Sequence, residues 1–187
     1  FLSEKMVACT QGRAIPLKDI RPCRLARFLC RFVRKTSYGI GLAMPETMEM
    51  AIRECGRLRI LLAACAGLMG KLSGRRGWFY IVAGRKAAAI DGPCAFTLPP
   101  YNEYVVLAPH HPDAVAKKLS DSFHCPVLIV DINDLGGEIL GTSSPSMDRT
   151  FYASLLRDNP LEQSSECTPI GILRPVQGEA SPSVADQ

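Results

Sequence analysis

A short apolar run at residues 127–130, followed at once by Asp131, constrains the fold of this chain more than any other feature. Its residues, Val-Leu-Ile-Val, follow Pro126 and precede polar and glycine residues, which is typical of a buried central strand. A weaker run at 87–90 ends in the same way at Asp91. A carboxylate at the exit of a buried strand is rigidly held yet reaches solvent. Two of them therefore predict an oxygen-rich site for a hard divalent cation.

A simpler interpretation of these two stretches is conformational. Asp91 precedes Gly-Pro, and Asn133 and Asp134 precede a glycine pair after one leucine. Asp, Asn, Gly and Pro end strands because they suit turns, and spacing alone favours this interpretation over a metal site. Only a metal site requires the side chains at 91 and 131 to converge.

Composition limits the class of protein and its partners. With 187 residues, 47% of them hydrophobic, the chain can bury a core, and we expect one domain over residues 1–177, alone or with a smaller lobe, and a disordered polar tail at 178–187. The net charge of +4 is a mild excess without interleaved aromatics, so we expect no nucleic-acid partner. The longest apolar run, 60–70, is too short to cross a bilayer, and no signal segment opens the chain, so we expect no membrane partner.

The cysteines indicate a compartment rather than a site. All eight are scattered without a Cys-x-x-Cys pair, and most lie in apolar runs. This pattern argues against a zinc site and a disulfide scaffold, and it predicts a reducing cytoplasm.

Helical and strand patterns alternate irregularly along the chain. Apolar spacing and capping residues predict helices, and β-branched runs predict strands. The predicted helices are 24–34, 44–54, 61–72, 114–123 and 147–155, and the predicted strands are 6–9, 78–83, 87–90, 104–107, 126–130 and 170–173. The segment 101–130 should form one strand–helix–strand unit. We therefore predict an α+β fold, α/β in the broad sense, with a mixed sheet and flanking helices.

Common catalytic and nucleotide motifs do not occur. Neither the Gly-x-x-x-x-Gly-Lys-Ser/Thr loop nor the Gly-x-Gly-x-x-Gly fingerprint is found, so any nucleotide site must be built differently. His110 and His111 lie in a Pro-flanked turn, which is more typical of a surface turn than of a ligand pair. The serines lack the context of a nucleophile elbow.

Several short stretches resemble one known family in the same order. Residues 3–13, Ser-Glu-Lys-Met-Val-Ala-Cys-Thr-Gln-Gly-Arg, and residues 89–91, Ala-Ile-Asp, are two of them. The others are 105–113, 127–131, 161–163 and 172–174. Together they resemble the coenzyme F-420 gamma-glutamyl ligase family over nearly the whole chain, except for that family's N-terminal segment, which we expect to be missing here.

The resemblance implies a reaction, cofactors and partners. Members of that family join L-glutamate through amide bonds to an anionic deazaflavin coenzyme, using GTP and Mg²⁺ or Mn²⁺, and they work as homodimers. It therefore implies a gamma-glutamyl ligase-like fold and a metal-dependent ligase that acts through an acyl phosphate.

Carried over by position, the resemblance also implies site residues. The candidate metal ligands are Asp91, Asp131, Asn133, Asp134 and Gln163. The candidate nucleotide or substrate contacts are Ser3, Lys5, Gln11, Gly12, Arg13, Arg85 and Lys86.

This chain departs from the family's motifs at several positions. Cys9, Cys94 and Ile132 replace a lysine, an asparagine and a threonine, and a segment carrying two arginines becomes residues 135–139, Leu-Gly-Gly-Glu-Ile. Arginine suits the binding of anionic groups. The departures motivate an alternative function, a non-catalytic module of the same fold that binds a phosphate-bearing ligand or a nucleotide.

Overall fold

The chain has an α+β fold in which short helices surround a small mixed sheet, as the sequence predicts. The computed structural model describes residues 1–33, 41–75, 77–95, 97–133, 136–162 and 168–175. Its strands are β1 (Leu2–Ser3), β2 (Ala14–Pro16), β3 (Tyr104–Val106), β4 (Leu128–Asn133) and β5 (Gly136–Thr142). Its α-helices are α1 (Glu4–Thr10), α2 (Arg24–Leu29), α3 (Pro45–Cys55), α4 (Arg57–Leu72), α5 (Trp78–Ala83), α6 (Arg85–Ala88), α7 (Pro112–Phe123) and α8 (Arg149–Leu155).

The central sheet has the order β1-β4-β5. β1 runs parallel to β4, with Leu2 opposite Ile129, and β4 and β5 form an antiparallel hairpin. The apolar run at 127–130 supplies the middle strand, as predicted. The predicted closing strand at 170–173 is reduced to a single bridge between Leu2 and Ile170.

A separate antiparallel pair, β2 and β3, corrects one prediction. The segment 101–130 does contain a strand, a helix and a strand, but β3 pairs with β2 and β4 pairs with β1 and β5. The two strands therefore belong to different sheets. Local pattern predicts each element, whereas strand pairing depends on segments far away in the chain.

Three predicted strands are wrong, because they are helical. Residues 6–9 lie in α1, where Glu4, Val7 and Ala8 form one buried face at helical spacing. Residues 78–83 form α5, and most of 87–90 belongs to α6 or to the turn after it. Short apolar runs do not distinguish strand from buried helix by pattern alone.

Glycines explain why α5 is a helix. Gly77 and Gly84 flank it with positive φ angles of 89° and 87°, so the chain turns sharply at both ends. At Gly70 of α4, an added Cβ would lie 2.9 Å from Trp78 Cγ, so only glycine permits this approach. The contact between α4 and α5 thus overrides the strand propensity of the aromatic and β-branched residues in α5.

The core consists of apolar clusters on either side of the sheet and among the helices. Leu128 and Val130 pack with Leu156 on one face of β4, whereas Ile129 packs with Val7 and Ala116 on the other. The alternation follows the two-residue period of a strand. A larger cluster joins α2, α3 and α4 around residues such as Met48 and Ile60.

The remaining predicted helices are confirmed with shifted ends. The helix predicted at 24–34 is α2 followed by a 3-10 turn at Cys30–Phe32, and the others begin one to four residues from their predicted starts. Within the described part of the chain, no helix is both long and apolar enough to cross a membrane. The one-domain prediction remains a prediction, and the tail at 178–187 lies outside the described residues.

Candidate functional site

A polar cleft of about 290 Å³ lies between α1, α6 and the β4–β5 hairpin. Carboxylates and basic side chains face it from separate elements, and the segment before α7 closes one side. Its lining residues are Glu4, Arg85, Lys86, Ala88, Ala89, Ala108, Pro109, Pro112, Asp131, Glu138 and Leu140.

Asp131 reaches the cleft because of its register in β4. It lies two residues beyond Ile129, on the face that packs against α1, and burial along β4 falls from buried to half-buried at this residue. Its partner across the hairpin is Glu138. Burial raises the pKa of the Asp131 carboxyl, Lys5 opposes this rise, and the charges of Asp91 and Glu138 add to it.

Asp91 is held by its backbone rather than by a strand of its own. Its amide donates to the Val106 carbonyl at 2.9 Å, and the Val106 amide donates back at 3.0 Å. Its side chain, 45% exposed, accepts a hydrogen bond from the Lys5 ammonium. The backbone bridge to Val106 therefore fixes a carboxylate beside Lys5, even though the predicted strand before it is absent.

Glu4 is the most unusual group in the site. Its side chain is only 6% exposed, and Oε1 lies 3.7 Å from Lys5 Nζ. Its other oxygen, Oε2, is buried and has no hydrogen-bond partner. Burial, with smaller contributions from Asp131 and Asp91, raises the pKa of Glu4 from 4.5 to about 8 despite the nearby ammonium.

Lys5 is the central cation of this cluster. Its side chain is partly exposed, and crowding around the ammonium would lower its pKa, but the charges of Asp91, Glu4 and Asp131 raise this pKa above the ordinary value. The same electrostatic cluster therefore contains Asp91 and Asp131, which come from distant parts of the chain, with Glu4 and Lys5.

A second ion pair lies at the mouth of the cleft. Arg85 Nη2 of α6 lies 2.7 Å from Glu138 Oε2 of β5, and both side chains are mostly exposed. Lys86 follows on the same short helix and lines the cleft as well. The site thus carries basic groups on α1 and α6 against carboxylates on α1, β4, β5 and the turn at Asp91.

Five predicted substrate contacts are not among the residues that line the cleft: Lys5, described above, and Ser3, Gln11, Gly12 and Arg13. Gln11 makes paired hydrogen bonds with the backbone of His110, at 2.9 and 2.7 Å. Arg13 donates to Glu54 at 2.7 Å and also contacts Ala108 and His110.

These contacts hold the segment at 108–110, part of which lines the cleft. Gly12 has φ = +68° in the turn between Gln11 and Arg13, which favours glycine. Ser3 ends β1 and donates its amide to Pro169.

The remaining candidate metal ligands are Asn133, Asp134 and Gln163. Asn133 is the half-buried last residue of β4. Asp134 and Gln163 lie outside the described residues. Within the described ranges, no three acidic, histidine or cysteine side chains are grouped to hold a metal ion by themselves.

Two carboxylates of the site, Glu4 and Glu138, are absent from the sequence predictions. Glu138 lies in β5, which begins with Gly136 and Gly137, and a glycine pair is more typical of a turn than of a strand. Glu4 precedes a segment predicted to be a strand. A helical pattern drawn from Glu4 through Val7 and Ala8 would have shown that all three share a buried face.

Comparisons of the chain with protein-family models, with curated proteins and with solved structures give no match.

Proposed function

We propose that this chain is a divergent, metal-dependent acid–amino-acid ligase of the gamma-glutamyl type, with its reaction in the charged cleft. The observation that carries the proposal is geometric: Glu4 and Asp131 line one cleft, and the Lys5 ammonium contacts Asp91 and lies 3.7 Å from Glu4 Oε1. Turn formers have no need to share such a cluster. A gamma-glutamyl ligase-like fold is part of the same proposal.

Mg²⁺ or Mn²⁺ would be held by Asp91 and Asp131. Magnesium commonly uses only one or two protein carboxylates together with waters and substrate phosphates, so a closed cage of protein ligands is not required. The unpartnered, buried Oε2 of Glu4 beside them also fits a hard cation. When bound, the cation would neutralise charge on the phosphoryl oxygens. Asn133, Asp134 and Gln163 are further candidate ligands.

The basic side chains of α6 would bind the anionic groups of the substrates. Arg85 and Lys86 line the cleft, and the exposed pair between Arg85 and Glu138 is of a kind that contributes little stability. Arg85 can therefore exchange Glu138 for a phosphate or carboxylate, which its guanidinium binds in a two-pronged geometry.

The proposed reaction has two steps. A substrate carboxylate takes the γ-phosphoryl group of GTP and releases GDP. The amine of L-glutamate then attacks the acyl phosphate, forming an amide and releasing phosphate and a proton. Lys5, Arg85 and Lys86 would hold the phosphoryl oxygens, because cations placed where negative charge develops lower the barrier. Positioning supplies the rest of the rate increase.

A direct assay tests the proposal. The protein is incubated with GTP, Mn²⁺, L-glutamate and the coenzyme lacking its glutamates, and products are identified by mass spectrometry. We expect a glutamyl adduct and GDP, with a loss of about 100-fold or more for Asp91→Asn and Asp131→Asn. The matched control is Asp121→Asn, since Asp121 is an exposed residue of α7 that forms an ion pair with Lys117 and does not line the cleft. Absence of both products from the wild-type protein would refute ligase activity.

One observation favours the second candidate, a module that binds a phosphate-bearing ligand or nucleotide without turnover. The Lys5 ammonium contacts Asp91, so a cation of the chain itself already neutralises one of the proposed metal ligands. Calorimetry separates the two functions. Saturable binding of GTP with Mn²⁺, without formation of GDP, would establish the binding module and refute the ligase.

The expected homodimer remains part of the proposal. Large apolar side chains are exposed on α4 and α5, among them Leu58, Leu72 and Ile81. Exposed apolar side chains of this size are often covered at protein interfaces, and a second copy of the chain would cover them here. Light scattering after size-exclusion chromatography should give twice the mass of 20.4 kDa. A monomer at micromolar concentration would contradict this expectation.

A further inference from the structure

Lys5 lies where the proposed cation would lie. Its Nζ donates to the Asp91 carboxylate and lies 3.7 Å from Glu4 Oε1. The charge of Asp131 also acts on this ammonium. A single positive side chain is therefore surrounded by the carboxylates that a divalent cation would share.

The remaining oxygen of Glu4 is left without a partner by this arrangement. Oε2 is buried and accepts no hydrogen bond, although the side chain borders the polar cleft. A buried carboxyl oxygen without a donor is costly, and native structures contain few of them. The lysine thus satisfies only part of the cluster, and a cation that contacts Oε2 would remove this cost.

The geometry also allows Lys5 to leave. Its side chain is 46% exposed, and lysine carries its charge on a flexible stem with four carbons. Glu4 is fixed, because α1 buries Val7 and Ala8 against the sheet. The carboxylates can therefore stay in place while the ammonium moves.

We propose that Lys5 and a divalent cation compete for the carboxylates of Glu4 and Asp91. This inference rests on the proposed metal function. In the metal-free protein Lys5 is the counter-ion of the site. Binding of Mg²⁺ or Mn²⁺ displaces its ammonium, which then becomes available to the anionic substrate. Metal binding frees the Lys5 ammonium for the substrate, and a substrate bound to Lys5 leaves the carboxylates free for the metal. The two binding events therefore favour each other.

Mn²⁺ affinity measures the competition directly. In titrations of the full chain followed by calorimetry and electron paramagnetic resonance, without nucleotide, Lys5→Met should bind Mn²⁺ about tenfold more tightly than the wild-type protein. Lys118→Met is the charge-matched control, because Lys118 is an exposed residue of α7 that does not line the cleft. Its Mn²⁺ affinity should change by less than about threefold.

The wild-type protein gives a second measurement that needs no variant. Lysines are acylated for a short time with and without Mg²⁺, and the modified positions are quantified by mass spectrometry. Labelling of Lys5 relative to exposed Lys118 should increase when Mg²⁺ is present, because the released ammonium reacts more readily.

The possible results separate this inference from the proposed function. Unchanged or weaker Mn²⁺ binding by Lys5→Met, or unchanged labelling of Lys5, overturns the competition. If the competition is overturned but Asp131→Asn abolishes Mn²⁺ binding, the proposed metal function is retained and only the competition is rejected. If neither the wild-type protein nor Lys5→Met binds Mn²⁺, both proposals fall.

Discussion

Replacing Glu4 with glutamine should change how the stability of the metal-free protein depends on pH. The carboxyl is buried, and its pKa is raised from 4.5 to about 8 in the folded protein. Between these values the folded state holds more protons than the unfolded state, so stability falls as the pH rises through this range. The contribution is fully present below pH 4.5 and has been lost above about pH 8.

The pKa difference sets the magnitude. One pKa unit corresponds to about 1.4 kcal/mol, so the whole change amounts to about 5 kcal/mol. Between about pH 5 and about pH 7.4, Glu4 alone should lower the free energy of unfolding by about 3 kcal/mol. Glutamine fills nearly the same volume and does not ionise, so Glu4→Gln should lack this part of the pH dependence.

Urea denaturation followed by circular dichroism, in a buffer with a chelator, gives the free energies of unfolding at both pH values. The relevant quantity is the difference between wild type and Glu4→Gln, because titrating groups away from Glu4, such as Asp113, contribute to both proteins. Glu103→Gln is the control, since Glu103 is exposed in a 3-10 turn. Identical pH dependence in wild type and Glu4→Gln would refute the conclusion that this carboxyl is buried at a cost.

Three further substitutions test contacts that stabilise the fold outside the proposed metal ligands. Gly141→Ala should destabilise the protein by about 1–3 kcal/mol in thermal unfolding, because the new methyl group would overlap the backbone of Pro112. Asp148→Ala should cost about 1 kcal/mol in urea denaturation, since Asp148 caps α8 by accepting two backbone N–H bonds. Arg13→Ala should cost about 2–4 kcal/mol, because it leaves the largely buried carboxylate of Glu54 without its partner. It should leave Mn²⁺ affinity unchanged, and a large loss of Mn²⁺ binding would instead place Arg13 in the site.

The sequence predicts those parts of the fold that local pattern determines. Helices with clear amphipathic spacing, such as α3 and α7, and the apolar strand β4 are found close to their predicted positions. The helix α5 was predicted as a strand, because its conformation depends on close packing against Gly70 of α4. The pairing of β3 with β2 likewise depends on a contact between distant segments.

The same distinction applies to the candidate site. Asp91 and Asp131 follow apolar runs, and that signal is visible in the sequence. The positions of Glu4 and Lys5 beside them depend on the parallel pairing of β1 with β4, which places the start of α1 next to the end of β4. No local pattern reports such a pairing.

The basic side chains around the cleft compensate its carboxylates unevenly. Asp131 and Glu138 are opposite each other in the β4–β5 hairpin, and like charges in such a pair are destabilising. Arg85 offsets the charge of Glu138 from α6, and Lys5 offsets that of Asp91 from α1. Both basic groups therefore act on the exposed side of the cluster, while Glu4 Oε2 stays buried and unpartnered. Folding thus pairs Asp91 and Glu138 with cations of the chain, whereas the raised pKa of Glu4 favours its protonated form, and the metal ion that we propose is the alternative to that proton.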